Sequence, residues 1–130
     1  MITAVIITKN EERNIGRCLD SLVPVVDEVL VLDSFSTDAT ADICARHGVR
    51  FVTHEWEGYV ATKNYANGLA SNDWILSVDA DEALQKATEK FIFRFSAMEN
   101  AILCAGKRFQ DLTLSEMDVY WERSKHSAQN

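Results

Sequence analysis

The sequence predicts an α/β domain: one mostly parallel sheet with helices packed on both faces. Three observations lead there. Short apolar runs recur along the chain with helix-length stretches between them. The runs are continuous, without polar alternation, as strands covered on both faces are. Each run ends in a polar or acidic loop. Strands alternating with helices in this way imply βαβ crossovers and parallel pairing.

The first strand is read at Thr3-Ala4-Val5-Ile6-Ile7-Thr8. After the loop Lys9 to Arg13, Ile15, Cys18, Leu19 and Leu22 recur at i, i+3, i+4 and i+7, which is one stripe of a helix. Pro24, the only proline, stops that helix. Glu28 to Asp33 reads as the second strand. Ser34 to Thr37 is a polar turn offering N-cap residues to a helix that runs to about His47, where Gly48 closes it. The third strand is Val49 to Thr53, the next helix about Tyr59 to Leu69, and the fourth strand Trp74 to Val78, entered from the turn Ser71-Asn72-Asp73. Ala101 to Gly106 reads as one more strand. Met117, Tyr120 and Trp121 suggest a final helix capped by Ser115, ahead of a polar tail.

Composition narrows the class. The chain has 130 residues, 47% of them hydrophobic and 25% charged, which fits one modest globular core. A net charge of −7 argues against a nucleic-acid surface, since a phosphate backbone wants a basic stripe. The same charge makes an anionic ligand awkward without a metal ion or local cations. The three cysteines, Cys18, Cys44 and Cys104, lack disulfide or zinc spacing and read as small hydrophobes in a reducing compartment. No apolar run approaches membrane-spanning length, and Met1 to Thr8 is unsuited to a signal peptide. The expected location is therefore cytoplasmic.

In open parallel sheets, ligands bind outside the carboxyl ends of the strands. The loops at those ends are Thr8 to Glu12, Asp33 to Ser36, His54 to Gly58 and Asp79 to Glu82. Asp79-Ala80-Asp81 directly follows an apolar run, and two close carboxylates repel one another and resist desolvation. A divalent cation resolves the conflict, with hard oxygen ligands suiting Mg2+ or Mn2+. Alone, such a pair reads as a solvated loop, and Asp33 alone as a helix cap. Their convergence with the other loops on one sheet edge makes that edge the candidate site.

Taken together, Val5-Ile6-Ile7-Thr8-Lys9-Asn10-Glu11-Glu12, Asp33-Ser34-Phe35-Ser36-Thr37-Asp38-Ala39-Thr40 and Asp79-Ala80-Asp81-Glu82 resemble family 2 glycosyltransferases. Trp56, Gly58 and Lys63-Asn64-Tyr65-Ala66 are similar to the lipopolysaccharide-core and β-glucosyltransferase branch of that family. The resemblance covers about residues 1 to 95. It implies a GT-A (Rossmann-like) fold, shortened at the C-terminus, and inverting transfer of a sugar from a nucleotide diphosphate donor, usually a UDP-sugar, to a glycan or glycolipid in cell-envelope biosynthesis. By motif, Thr8, Asn10 and Glu12 line the nucleoside pocket, and Asp33 bonds the uracil or its ribose. Asp79 faces the ribose or the metal's hydration shell, and Asp81 ligates the metal. Carboxylates accept well from an imide N–H or a ribose hydroxyl. Lys63 is a further cation for the diphosphate, or a solvated helix lysine.

Beyond residue 95 the resemblance lapses. The expected division is a nucleotide-sugar-binding domain over 1–106 and a helix with a polar tail over 107–130. Asp111, Glu116, Asp118 and Glu122 are acids, but no motif promotes one of them to the general base that an acceptor hydroxyl needs. Three readings compete. They are a glycosyltransferase donor domain, a non-catalytic nucleotide-sugar-binding fragment, and a different α/β enzyme such as a nucleotidyltransferase or an aspartate phosphatase. The last loses ground, because Lys9 to Glu12 holds no glycine and the paired acids follow the fourth strand. Oligomerisation and peripheral contact with the inner face of the cytoplasmic membrane stay open.

Overall fold

The computed structural model describes residues 1–127, the side chains of Lys86, Ala87 and Ser127 excepted. The elements are β1 (Ile2–Thr8), α1 (Ile15–Leu22), β2 (Glu28–Asp33), α2 (Thr40–His47), β3 (Arg50–Thr53), α3 (Tyr59–Gly68), β4 (Trp74–Ser77), α4 (Lys86–Cys104), a 3-10 turn at Phe109–Asp111, and α5 (Leu114–Ser127). The chain divides into two compact units, Met1–Leu84 and the residues from Gln85 onward. The division falls ahead of α4, whereas the sequence suggested one near residue 106.

In the first unit all four strands pair in parallel in the order β3-β2-β1-β4. The register of β1 on β2 runs from Thr3 opposite Glu28 to Thr8 opposite Asp33, so the two strands end level. Successive side chains face opposite sides of a sheet. On one side Ala4, Ile6, Val29 and Val31 pack with Ile15, Cys18, Leu19 and Leu22 of α1 and Cys44 of α2. On the other, Val5, Leu30 and Leu32 pack with Ala66 of α3. Both faces are therefore covered, which is why the middles of β1 (Ala4 to Ile7) and β2 (Val29 to Leu32) are apolar without alternation. β4 lies at an edge of the sheet, and there Trp74 and Ile75 are exposed.

Helix ends follow local chemistry. The α1 stripe of Ile15, Cys18, Leu19 and Leu22 is fully buried, as its spacing requires. Gly48 closes α2 at φ 66°, a left-handed position that favours glycine. The N-cap of α2 differs from expectation: it is Ala39, past the Ser34 to Thr37 turn and without a side-chain bond, while Asp38 before it accepts the Thr40 N–H and hydroxyl. These bonds, with one from the Glu12 N–H, hold the Asp38 carboxyl below its usual range against the opposing effect of desolvation.

The second unit corrects three expectations. Ala101 to Cys104 is the last turn of α4, with no strand there, and Gly106 (φ 73°) lies just past the helix end. The Lys107 N–H bonds the Ile102 carbonyl and the Gly106 N–H that of Leu103, a glycine-terminated helix end. The cap of α5 is Thr113 and not Ser115. The Thr113 hydroxyl accepts the Glu116 N–H at 3.3 Å, while the Glu116 carboxylate accepts the Thr113 N–H at 2.8 Å. Cys104 is exposed, so only Cys18 and Cys44 behave as buried hydrophobes. Burial pushes both of those thiols up to about 11.

Candidate functional site

The ends of β1 and β2 are joined by a lock of polar contacts. Asp33, 2% exposed, accepts the Thr8 hydroxyl at 2.8 Å and the Ser36 N–H at 2.8 Å, as well as the Ser36 hydroxyl. Asn10 adopts φ 52°, which a short amide side chain tolerates. In that position its N–H donates to the Ser36 hydroxyl at 2.7 Å, and its side-chain oxygen accepts the Thr37 N–H at 2.8 Å. Glu12 accepts the Ala39 N–H at 3.0 Å, and the Glu11 N–H donates to Thr40. The loop after β1 is thus stitched along the loop after β2. Phe35, also at positive φ (55°), projects from it exposed.

Beside this lock lies a cleft of about 310 Å³, lined by Ile7, Thr8, Lys9, Glu11, Trp56, Tyr59, Asp79, Ala80 and Asp81. Asp79 is reached from α3: the Tyr59 hydroxyl donates to its Oδ1 at 3.2 Å, and the Lys63 Nζ stands 3.8 Å from the same oxygen. The Lys63 ammonium also lies 4.9 Å from the centre of the Tyr59 ring. The turn carrying both acids is closed by the Glu82 carboxylate, which accepts the Asp79 N–H at 2.9 Å. Arg17 of α1 donates to the Asp81 carbonyl at 3.2 Å. Ala80, buried between the two acids, fixes the turn against the core. The Asp81 carboxylate is exposed and makes no hydrogen bond or ion pair among the described residues.

Of the residues singled out from sequence, the cleft brings together Thr8, Asp79 and Asp81, with Lys63 joined through Asp79. Asn10, Glu12 and Asp33 belong to the adjoining lock, Asp33 bonding a cleft residue through Thr8. Lys9, Glu11, Trp56 and Tyr59 line the cleft without having been assigned a role. The aromatic pair stands at or next to the loop after β3, and a loop at the carboxyl edge of a parallel sheet was the available signal. A neighbouring feature is His54, stacked on Tyr65 with ring centres 3.8 Å apart and Nε2 3.4 Å from Glu57.

The model of the family described as glycosyl transferase family 2 matches residues 3–129. The chain belongs to that family. The match extends past residue 95, where resemblance by motif lapsed. Among curated relatives, an uncharacterized glycosyltransferase of Rickettsia felis is 46% identical over 99 residues, covering 76% of this chain and 35% of its own length. A lipopolysaccharide core biosynthesis glycosyltransferase, LpsC of Rhizobium meliloti, is 34% identical over 107 residues, 78% of this chain and 39% of its own. The chain thus spans little more than a third of these family 2 relatives. Among solved structures, glucosyl-3-phosphoglycerate synthase of Mycobacterium tuberculosis in complex with UDP superposes with a TM-score of 0.60 at 25% identity, over 79% of this chain and 40% of that one. The GT-A architecture expected of the family is the one found. No described helix is long and apolar enough to cross a membrane.

Proposed function

We propose that the chain is the donor-binding part of an inverting family 2 glycosyltransferase that takes a hexose from a UDP-hexose and passes it to a glycan or glycolipid acceptor. The observation carrying this reading is the cleft at the carboxyl end of the sheet, where Asp79 and Asp81 meet Thr8. The UDP held by the related synthase and the lipopolysaccharide role of LpsC support the donor and acceptor classes.

The residues fit a divalent cation. Asp79 and Asp81 are hard oxygen donors, and the Asp81 carboxylate is exposed and unengaged. Among the described residues no group of three or more metal-binding side chains converges. A site of two carboxylates suits Mg2+ or Mn2+, which keep several waters and take further oxygens from substrate phosphates. Bound there, the cation supplies neutralisation of the diphosphate as it leaves. Asp81 is its ligand, and Asp79 either shares the hydration shell or accepts a ribose hydroxyl. Lys63, already drawn to Asp79, adds positive charge beside the diphosphate. Asp33 uses about three of its four acceptor positions within the lock, leaving one for the base or ribose. In this reading Asn10 and Glu12 serve the nucleoside by holding the loops that enclose it.

A binding role without efficient transfer is favoured for this chain by itself. Asp111, Glu116 and Glu122 are occupied by Arg108, Thr113 and Lys125 respectively, which leaves Asp118, exposed and without a hydrogen bond or ion pair among the described residues, as the one unengaged acid of the four. Calorimetric titration with UDP, with and without Mn2+, tests the reading, and tighter binding with Mn2+ is expected. Absence of UDP binding in both conditions would sink it. With UDP-glucose, Mn2+ and a panel of glycolipid cores, little acceptor-dependent UDP release is expected. Robust release would assign a base among these acids.

A further inference from the structure

The same cleft exposes two large aromatic side chains. Trp56 is 54% and Tyr59 53% exposed, although aromatic rings supply much of the buried area of a typical core. Their ring centres lie 6.3 Å apart with planes at 67°, an edge-on contact. Such a contact leaves at least one face of each ring uncovered by the other. Tyr59 is further held by its hydroxyl on Asp79 and by the Lys63 ammonium against its ring. Trp56 is therefore the ring presented, and Tyr59 its fixed support.

A sheet of aromatic carbon beside two carboxylates is an odd lining for a phosphate site, because it offers a diphosphate nothing. It suits a ligand with an apolar face and a polar rim. A pyranose ring is such a ligand: its axial C–H bonds form a weakly positive face complementary to the negative face of an indole, while its hydroxyls point outward. A cleft of about 310 Å³ is at the lower end of the range for small-molecule sites. We propose that Trp56, steadied by Tyr59, is the platform on which a pyranose ring lies, either the hexose of the donor or the first sugar of the acceptor. This assignment rests on the nucleotide-sugar reading above and adds to it the residue that meets the sugar.

The test uses wild type, Trp56→Ala and Trp56→Phe, each titrated in Mn2+ with UDP, UDP-glucose and methyl glucoside, and read by calorimetry. Trp56→Ala is expected to weaken UDP-glucose about tenfold while leaving UDP within about twofold, and Trp56→Phe to recover most of the loss. Loss confined to methyl glucoside would support the platform and place the acceptor's sugar on it. Equal weakening of UDP and UDP-glucose would overturn it, since Trp56 would then serve the nucleotide or the fold. Unchanged affinity for both sugars in Trp56→Ala would overturn it as well. Thermal melts separate misfolding from lost contact, and if Trp56→Ala does not fold, Trp56→Leu, apolar but without a ring, takes its place with the same outcomes for and against. Failure of the wild type to bind UDP at all would fell the nucleotide-sugar reading instead, leaving the methyl glucoside titrations to decide the platform alone.

Discussion

The first 84 residues and the helical hairpin that follows bury apolar surface in different ways. In the first unit, β1 and β2 lie between helices, and Ala4, Ile6, Leu30, Val31 and Leu32 are wholly inaccessible to solvent. In the second, α4 packs against α5, with the 3-10 turn at Phe109–Asp111 adding an aromatic contact. Ile92, Met98 and Ile102 are buried, while Phe91, Phe93, Leu103, Leu114 and Val119 are exposed. Aromatic contacts take up part of the load: Phe91 tilts on Trp121 with centres 5.4 Å apart, Phe95 stacks on Phe109, and Arg94 lies 3.8 Å over Trp121. The difference teaches where single side chains matter. A three-layer arrangement encloses its central strands, whereas a helix pair encloses one seam.

The largest effect expected from that contrast is on stability. Leu30→Ala, in the enclosed sheet, should cost about 2–5 kcal/mol by denaturant unfolding. Phe93→Ala, on an exposed face of α4, should stay within about 0.5 kcal/mol. Equal costs would erase the contrast.

Next comes Asp33 against Asp81, two acids of the same sheet edge, one buried and one exposed. Asp33→Ala leaves Thr8 and Ser36 without their acceptor, so it should cost about 1–3 kcal/mol of stability and weaken UDP with or without metal. Asp81→Ala should leave stability nearly unchanged and remove only the Mn2+-dependent gain in UDP affinity. Parallel losses in both would merge the two roles.

A smaller effect probes the hairpin. Thr113→Ala removes the α5 cap and should lower stability by about 1 kcal/mol, seen as reduced helicity on heating.

The smallest effect is a pH dependence in the first unit. His47 donates from both ring nitrogens when protonated, to the Ile43 carbonyl at 2.8 Å and to Asp20 at 2.8 Å. Those two bonds raise its folded-state value above the ordinary 6.5. A raised value means the stabilisation is fully present below pH 6.5 and is lost as pH rises through the folded value. His47→Gln should flatten the stability profile across that window.

The legibility of the chain follows the same divide. In the first unit the stripe Ile15, Cys18, Leu19, Leu22 and the continuous apolar runs each matched one element within about a residue; for β1 and β2 the reason is burial on both sides, which admits no polar alternation, whereas the edge strands β3 and β4 are half-buried or exposed. At Ala101 to Gly106 the run was too short to show a period, and a glycine at its end suits a strand turn and a helix terminus equally. Only the preceding turns settle it: Ile92, Phe95, Glu99 and Ile102 follow a helical spacing into that run. The candidate site was legible as a set of loops, and Asp79 and Asp81 stood where strand order placed them. How the work is divided was not legible. Side chains of Asn10 and Glu12 accept backbone N–H groups 27 residues away, and Asp33 accepts the hydroxyl of Thr8, 25 residues back, and no spacing along the chain reveals those partners.

The sequence by itself determined the parallel sheet, its two covered faces, and the edge on which acids gather. Those depend on periodicity and on residues adjacent along the chain. The tertiary structure alone decided that Asp33 is enclosed while Asp81 is open, that Tyr59 and Lys63 share Asp79, and that Trp56 borders the same cleft. Those relations join β1, β2, α3 and the turn after β4, and they exist only once crossover connections bring distant segments level at one sheet edge.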